Sequence, residues 1–501
     1  MDAVSLSDFQ SHYLWAVIAG AVLSFLLGFG MGANDVSNAF GTSVGSKVLS
    51  LKWAYILATI FETLGAVLVG FNVSDTMRKS VIDLDMYKNE PAELLLGQIA
   101  ILTGGTLWLF CATYFKAPIS TTHSIVGATL GFSVLLRGIN GIEWLKVAEI
   151  AASWIVSPLL SGLVSSGLYI IVDLTVLRKK DPLNAGFRAL PVLYFACVAF
   201  NVFVVTNNGS KILHLSNVPV WIALLLSFGF GIASALIFYL IARPYLRKWV
   251  LEGDAPPNTN STNSLNSMAS TDDESNNSKV FHTNLTQNEK NGKVAAVNIE
   301  PIEEPTIRTQ KFSVSPKKFF IWFLPDRSRQ QDEKIYRLFS ALQICTACFA
   351  GFAHGANDTS NSIAPITAII EIYKTASSEQ TGQTPVYILI YGVFAACVGL
   401  WLLGHRVIKT VGSKMSIINP VSGFCIEFGA GVTALLASKA GLPISTSHSL
   451  IGSVIFVGLV RSKKGVKWTV FRDVALSWLI TLPVSALLSF IVMFFLRLAF
   501  L

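Results

Sequence analysis

The chain of 501 residues is 52% hydrophobic and only 14% charged, whereas ordinary soluble domains carry about 25% charged residues. This composition excludes a water-soluble enzyme and, for most of the length, a disordered chain. The net charge of +8 is explained better by basic loops on one side of a membrane than by binding to nucleic acid. The six cysteines are scattered through apolar stretches, so no disulfide framework is predicted.

Several stretches are long and apolar enough to cross the ~30 Å hydrocarbon layer of a lipid bilayer as helices. The first follows Asp2 and Asp8 rather than basic residues, so it is predicted to be a retained helix and not a signal peptide. The twelve predicted spans are 13–33, 52–71, 98–115, 120–137, 148–177, 187–206, 217–242, 337–356, 386–404, 418–437, 443–460 and 472–498.

A hydrophilic segment, residues 243–336, is rich in Asn, Ser, Thr, Glu and Lys and is predicted to be a largely disordered linker. It separates an N-terminal transmembrane half, 1–242, from a C-terminal half, 337–501. If the amino terminus is outside, the short cytoplasmic loops carry 15 Lys and Arg and the outer segments carry 9. The excess of basic residues predicts that both termini are extracellular and that the linker is cytoplasmic.

An internal repeat connects the two hydrophobic halves. Gly32–Asn38 recurs 323 residues later as Gly355–Asn361, and Pro118–Ser124 recurs 325 residues later as Pro443–Ser449. A third match pairs the tryptophan-containing segments five and twelve. Each pair of copies is separated by seven predicted crossings, and because seven is odd, the halves are predicted to insert in opposite orientations. Inverted repeats are typical of secondary transporters, and no Walker-type phosphate loop points to a pump.

The first repeated motif places acidic and amide side chains at the ends of apolar stretches, where a charge costs several kcal/mol unless it is paired or hydrated. Nearby glycines predict unwound backbone whose carbonyls would join the carboxylates as oxygen ligands of a cation. The alternative is that these side chains only cap broken helices. The candidate cation ligands are Asn34, Asp35, Asn38, Asn357, Asp358 and Asn361.

The second repeated motif has a different chemistry. Its proline favours the first turn of a helix, and its hydroxyls would lie beside free backbone N–H groups that attract anions. The two copies could hold a small tetrahedral oxyanion from opposite sides. The alternative is that the hydroxyls only cap a half-helix. The candidate hydroxyls are those of Ser120, Thr121, Thr122, Ser445, Thr446 and Ser447.

The four motif copies contain no Lys or Arg. A multiply charged anion near Asp35 and Asp358 would therefore be repelled until cations occupy the carboxylates, which predicts obligatory and reciprocal coupling. Hard oxygen ligands suit Na⁺, whereas His123 and His448 could carry protons. The residues alone therefore leave Na⁺ and H⁺ as alternative coupling ions. The alternative for these two histidines is a structural, hydrogen-bonding role.

Glu62, Glu427 and His354 are further ionisable residues within the predicted crossings. Glu62 and Glu427 are functional candidates by default, and the alternative is that each pairs with a neighbouring helix. His354 precedes the second copy of the first motif, but the corresponding position of the first copy holds methionine. It is therefore predicted to lie outside the common machinery.

At these motifs the sequence resembles the inorganic phosphate transporter family, in particular its eukaryotic sodium-dependent members. The resemblance covers both hydrophobic halves and excludes most of the linker. It implies an all-α membrane fold of about twelve transmembrane helices, in two inverted repeats with discontinuous helices, in the plasma membrane and often as a homodimer. It implies inorganic phosphate as substrate and Na⁺ as coupling ion, with no other cofactor.

Carried over by position, the resemblance also implies roles for individual residues. Asn34, Asp35, Asn357 and Asp358 would lie at the sodium and phosphate sites, with the Ser and Thr hydroxyls of the second motif at phosphate. Glu62 and Glu427 match acidic residues that are important for transport. Gln98 departs from the pattern, because some members have glutamate there, and this departure puts a third carboxylate and the ion preference in doubt.

The sequence therefore predicts a symporter that imports phosphate with sodium by alternating access, and not an enzyme. One alternative is a proton-coupled phosphate or sulfate symporter, and another is a phosphate sensor or receptor without transport. A third is an intramembrane hydrolase that uses Ser or Thr, His and Asp. It is disfavoured because a single catalytic centre does not require every motif twice.

Overall fold

The structure, a computed structural model, describes residues 6–79, 81–207, 213, 215, 218–252, 322–325, 331–408, 418–461 and 466–501. Most of the predicted linker at 243–336 lies outside the described residues. The described part is all-helical apart from one isolated antiparallel bridge between Ile82 and Ile142.

The described helices of the first half extend into the predicted linker, because the last of them covers its first ten residues, 243–252; the prediction of disorder is wrong for this stretch. Short π-helical turns, Asp173–Leu177 and Phe238–Ala242, extend the seventh and ninth of them. The helices are α1 (Leu6–Asp35), α2 (Ser37–Gly45), α3 (Leu51–Val69), α4 (Phe71–Lys79), α5 (Pro91–Tyr114), α6 (Thr121–Arg137), α7 (Trp144–Val172), α8 (Pro182–Thr206), α9 (Val220–Ile237) and α10 (Arg243–Glu252).

The described helices of the second half are fewer and longer. The first of them spans 43 residues, about 65 Å at the 1.5 Å rise of an α-helix. They are α11 (Glu333–Thr375), α12 (Val386–Leu403), α13 (Pro420–Lys439), α14 (Thr446–Arg461) and α15 (Trp468–Phe500).

Every one of the twelve predicted spans overlaps a described helix, and ten candidate membrane spans are found in the described part. The two predicted spans that are not among these ten correspond to α6, with 17 residues, and α14, with 16. At about 25 Å each, they are shorter than the hydrocarbon layer. Both begin directly after a Pro-Ile-Ser sequence, so the second motif marks the start of a short helix in each half.

The outer surface of the helices is apolar, as a bilayer requires. Large side chains such as Leu145, Trp221, Leu225 and Leu479 are each about 70% exposed (73%, 67%, 67% and 73%). Exposed apolar surface on this scale marks contact with lipid or with another protein. Together with the ten long apolar helices, it identifies a multi-pass membrane protein.

The expectation of unwound backbone at the first motif is wrong for the second copy. Helix α11 continues without interruption through Gly355–Asn361. In the first copy the break is limited to Val36, between α1 and α2, whose φ of −61° and ψ of −21° remain in the helical region. Backbone carbonyls of the second copy are therefore engaged in the helix and do not become free as ligands.

Close helix packing accounts for the motif glycines. A Cβ at Gly32 would lie 1.8 Å from the carbonyl oxygen of Ala396 on α12. A Cβ at Gly355 would lie 2.1 Å from the carbonyl oxygen of Glu62 on α3. Both positions need glycine because helix backbones touch there.

We expect Gly32→Ala to lower the melting temperature of the purified protein by a few degrees. The added methyl group forces α1 away from α12, at a typical overpacking cost of about 1–3 kcal/mol. Gly167→Ala on α7 is the matched control, because no atom lies within 4 Å of its added Cβ and alanine is favoured in a helix. Equal melting temperatures for the two variants would contradict this packing.

The two halves pack in corresponding pairs. Helix α1 contacts α5 and α12, and helix α11 contacts α13 and α3. The long helices cross over between halves, since α15 packs on α6 and α7 packs on α14. Helices α1 and α11 also contact each other, which brings both copies of the first motif together at the centre of the bundle.

Candidate functional site

The two motif aspartates converge in one buried cluster. Asp35 lies at the end of α1 and Asp358 lies in the middle of α11. Together with His354, each offers a ligand atom within 4.8 Å of the others. The predicted acidic residues of the two halves therefore form a single site.

The short helices begin at this cluster. The Thr121 hydroxyl donates a hydrogen bond to Asp35, and the Thr446 hydroxyl donates to Asp358. Each threonine is the first residue of its helix, α6 or α14. The positive ends of two helix dipoles thus approach the carboxylates, which favours negative charge between them.

Asparagines of the first motif bind hydroxyls of the opposite half. Asn38 Nδ2 donates to Ser447 Oγ at 2.7 Å, and Asn361 Nδ2 donates to Thr122 Oγ1 at 3.2 Å. These two hydroxyls in turn donate to backbone carbonyls of the opposite Pro-Ile-Ser turn, at 3.3 and 3.0 Å respectively. The halves are therefore joined at the site by reciprocal polar contacts.

The preceding asparagines brace the turns before the short helices. Asn34 Nδ2 donates to the Ala117 carbonyl at 3.0 Å, and Asn34 Oδ1 accepts from the Ile119 backbone N–H at 3.1 Å. Asn357 Nδ2 donates to Ser438 Oγ at 3.1 Å and to the Leu442 carbonyl, in the turn before α14, at 3.4 Å. The geometry assigns Asn34 a positioning contact that the sequence motif did not reveal.

Ser120 and Ser445 serve as helix caps. The Oγ of each accepts a hydrogen bond at 3.3 Å from the backbone N–H three residues later. For these two hydroxyls the capping alternative describes the observed contact. The other four candidate hydroxyls, on Thr121, Thr122, Thr446 and Ser447, all face the cluster or the opposite half.

Three buried oxygens of the first motif accept no hydrogen bond among the described residues: Asp35 Oδ1, Asn357 Oδ1 and Asn361 Oδ1. A buried acceptor without a donor costs about 1–3 kcal/mol. Carboxylate and amide oxygens are the ligands that hard cations prefer. These oxygen atoms therefore suit a hard cation such as Na⁺ as ligands.

His354 is part of this cluster, so its predicted place outside the common machinery is wrong. His354 Nδ1 lies 3.3 Å from Glu62 Oε1, and His354 Nε2 lies 3.0 Å from Asp358 Oδ2. The available signal was the spacing of four residues to Asp358, which puts both side chains on one face of a continuous helix. In an unwound segment this spacing does not place two side chains on one face, so the expectation of unwinding gave His354 no link to Asp358.

We expect His354→Gln to raise the sodium concentration needed for half-maximal phosphate uptake several-fold. The histidine lies between the carboxylates of Glu62 and Asp358, and a glutamine cannot contact both in the same way. Uptake measured against sodium, with the exposed His405→Gln as control, tests this. An unchanged sodium dependence would show that His354 does not hold Asp358 in place.

Glu427 lies in a second buried polar cluster. It accepts hydrogen bonds from Thr42 and Ser43 on α2, at 2.5 and 2.6 Å. It also accepts from Thr346 and Gln343 on α11, at 2.8 and 3.2 Å. The carboxylate thus connects helices α2, α11 and α13, and its four donors were not predicted from the sequence.

His123 and His448 pack in an aromatic cluster between the halves. Each ring lies 3.7 Å, between centroids, from a tryptophan of the third repeated match, Trp154 or Trp478 respectively. The two imidazole rings are 4.6 Å apart, and His448 Nδ1 lies 3.0 Å from the Trp154 carbonyl oxygen. These contacts explain why tryptophan recurs in both halves.

The site is closed. A cavity of about 10 Å³ lies between Asn38, His354 and Thr446. This is about the space that one water molecule needs, so a small tetrahedral oxyanion cannot enter without movement of the surrounding helices. Every candidate residue of the site is buried.

Comparison with known proteins agrees with this geometry. A family model described as the phosphate transporter family matches residues 31–489. The chain belongs to the phosphate transporter family. The sodium-dependent phosphate transporter 1-A of Danio rerio is 34% identical, over 97% of this chain and 95% of that protein. The sodium-dependent phosphate transporter 2 of Xenopus tropicalis is 32% identical, over 95% of this chain and 97% of that protein.

A solved structure titled "The sodium-dependent phosphate transporter" has the same fold as this phosphate transporter family member. The TM-score is 0.74 at 28% sequence identity, and the match covers 96% of this chain and 99% of that chain. The family match begins at residue 31 and ends at residue 489, so it includes both copies of all repeated motifs.

Proposed function

We propose that the chain is a sodium-coupled symporter that imports inorganic phosphate by alternating access. The observation that carries this proposal is the convergence of Asp35 and Asp358, one from each half, between two short helices that begin with hydroxyl side chains. The names of the relatives support the same substrate and the same coupling ion.

In this proposal Na⁺ binds carboxylate and amide oxygens of the first motif, among them Asp35 Oδ1 and Asn361 Oδ1, which accept no hydrogen bond among the described residues. Asp35, Asn38, Asp358 and Asn361 are the sodium ligands. Phosphate binds beside them, at the starts of α6 and α14. Its ligands are drawn from Asn34, Asp35, Ser120, Thr121, Thr122, Asn357, Asp358, Ser445, Thr446 and Ser447, and Asn34, Ser120 and Ser445 contribute by positioning.

Coupling follows from charge. The motifs contain no Lys or Arg, so the carboxylates of Asp35 and Asp358 repel an approaching anion until sodium is bound. Sodium binding therefore creates the phosphate site, and phosphate binding raises the affinity for sodium by the same factor.

Alternating access requires that the halves separate on one side at a time. The reciprocal contacts of Asn38 with Ser447 and of Asn361 with Thr122 are related by the repeat. In the proposed cycle, opening towards one side breaks one of these contacts and keeps the other. An inverted arrangement of the halves, 1–242 and 337–501, gives both openings the same chemistry.

The proposal extends to placement in the cell. We infer that the chain lies in the plasma membrane with both termini extracellular and the linker, 243–336, cytoplasmic. A homodimer stays a prediction, as do the roles of His123 and His448 in proton coupling and the effect of Gln98, which is buried on α5.

Flux measurement tests the proposed function. We expect purified protein in lipid vesicles to take up radiolabelled phosphate when sodium is present outside, and to stop when choline replaces sodium at every pH between 6 and 8. Uptake that persists in choline and rises with acidity would favour the proton-coupled alternative. Saturable phosphate binding without any flux would favour a sensor or receptor.

The hydrolase alternative lacks support from the contacts. In a catalytic triad, the histidine stands between the nucleophile and the acid. Here the Thr121 hydroxyl donates directly to Asp35, and the His123 ring packs against Trp154. We therefore propose transport rather than bond cleavage as the activity of this site.

A further inference from the structure

A peripheral cavity of about 640 Å³ lies where α7 gives way to α8. Its walls are apolar and include Ile171 and Val172 from α7 and Val192 and Leu193 from α8. Ile171 and Val192 are 55% and 65% exposed, so the cavity opens to the outer surface of the helices. Its volume is in the range of sites that hold small organic ligands.

The rim of this cavity carries an excess of positive charge. Lys179 and Arg188 both line it, and Asp181 is the one carboxylate among its lining residues. Asp181 already accepts hydrogen bonds from the backbone and the side-chain amide of Asn184, at 3.0 and 2.6 Å. Lys179 and Arg188 therefore line an apolar cavity together with one carboxylate, and that carboxylate is already hydrogen-bonded to Asn184.

The combination of walls and rim determines the chemistry of the occupant. Free phosphate would gain nothing from the apolar walls, and a neutral hydrocarbon would gain nothing from Lys179 and Arg188. A glycerophospholipid, which carries a phosphodiester headgroup and acyl chains on one glycerol, satisfies both. The loop that contains Lys179 is predicted to be cytoplasmic, and the cytoplasmic leaflet is the one that carries anionic lipids.

We propose that this cavity binds one anionic glycerophospholipid, whose acyl chain packs against Ile171, Val172 and Val192 and whose phosphate lies between Lys179 and Arg188. Helix α8 is not part of the repeated packing pairs, and none of the cavity residues belongs to a repeated motif. The lipid site is therefore separate from the ion and phosphate site: it rests on the proposed orientation in the membrane but not on the proposed transport activity.

Native mass spectrometry of the full chain tests the headgroup contact. The protein is released from nanodiscs of phosphatidylcholine with phosphatidylserine, and the fraction that retains one phosphatidylserine is measured. We expect Lys179→Gln with Arg188→Gln to lower that retention about tenfold, which corresponds to about 1.4 kcal/mol. Lys52→Gln with Lys467→Gln is the matched control, because it removes the same charge from two other exposed positions. Equal retention in both double variants would overturn the proposal.

A third variant tests the acyl-chain contact. Ala189 lines the same cavity, and Ala189→Trp fills it while leaving both cations in place. We expect this variant to lose phosphatidylserine as the charge variant does. If only the charge variant loses the lipid, the lipid is held by surface charge alone and the cavity has no role. Displacement of the lipid by millimolar inorganic phosphate would likewise overturn the proposal, since it would assign the rim to free phosphate.

Discussion

Replacing Asp35 or Asp358 by asparagine is expected to abolish sodium-dependent phosphate uptake while leaving the protein at the cell surface. Each substitution keeps the size of the side chain and a hydrogen-bond acceptor for Thr121 or Thr446. It removes the negative charge that attracts sodium. Because both aspartates belong to one cluster, either loss disables the same site.

The expected loss is about 100-fold or more, since removing one partner of a buried charge interaction costs about 3–5 kcal/mol. Asp473→Asn is the matched control, because this aspartate is exposed and pairs with Arg472. Uptake and surface biotinylation are measured for all three variants. Normal sodium-dependent uptake in either motif variant would remove the aspartates from the cation site.

Glu427→Gln is expected to reduce phosphate uptake at least tenfold with little loss of surface protein. The carboxylate accepts hydrogen bonds from two hydroxyls of α2 and from two side chains of α11. Glutamine replaces one carboxylate oxygen by an NH₂ group, which cannot accept hydrogen bonds from these donors. A hydrogen bond to a charged group contributes about 1.5–3 kcal/mol to stability, and this contribution is lost. The connection between α2 and α11 is thereby weakened at the boundary of the two halves.

The control for this variant is Glu149→Gln, since Glu149 is exposed and pairs only with the nearby Lys146 among the described salt bridges. If Glu427→Gln transports normally while Glu427→Ala fails to fold, the residue is a packing element and not part of the transport cycle. A loss of uptake in both, with Glu427→Gln folded, supports the assigned role.

Much of the fold could be predicted from hydrophobicity and repetition. The apolar spans were found because a helix that crosses a bilayer must be long and uncharged. The convergence of Asp35 with Asp358 followed from the repeat, because corresponding segments of two related halves meet at the interface between them. Thr121 and Thr446 reached the carboxylates for the same reason.

Other parts of the site could not be predicted from the sequence. Glycine marks both helix breaks and close helix contacts, so the role of Gly355 against the Glu62 backbone was mistaken for unwinding. His354 was discounted because it occurs in one half only, although its partner Glu62 also does. The donors around Glu427 lie up to 385 residues away in sequence, and no local pattern indicates such a contact.

Equilibrium binding of radiolabelled phosphate to the purified protein, titrated with sodium at constant ionic strength and pH, tests the central claim most directly. The account predicts no saturable phosphate binding in choline, and an affinity that rises as sodium fills the carboxylates of Asp35 and Asp358. Phosphate binding of equal affinity with and without sodium would contradict it.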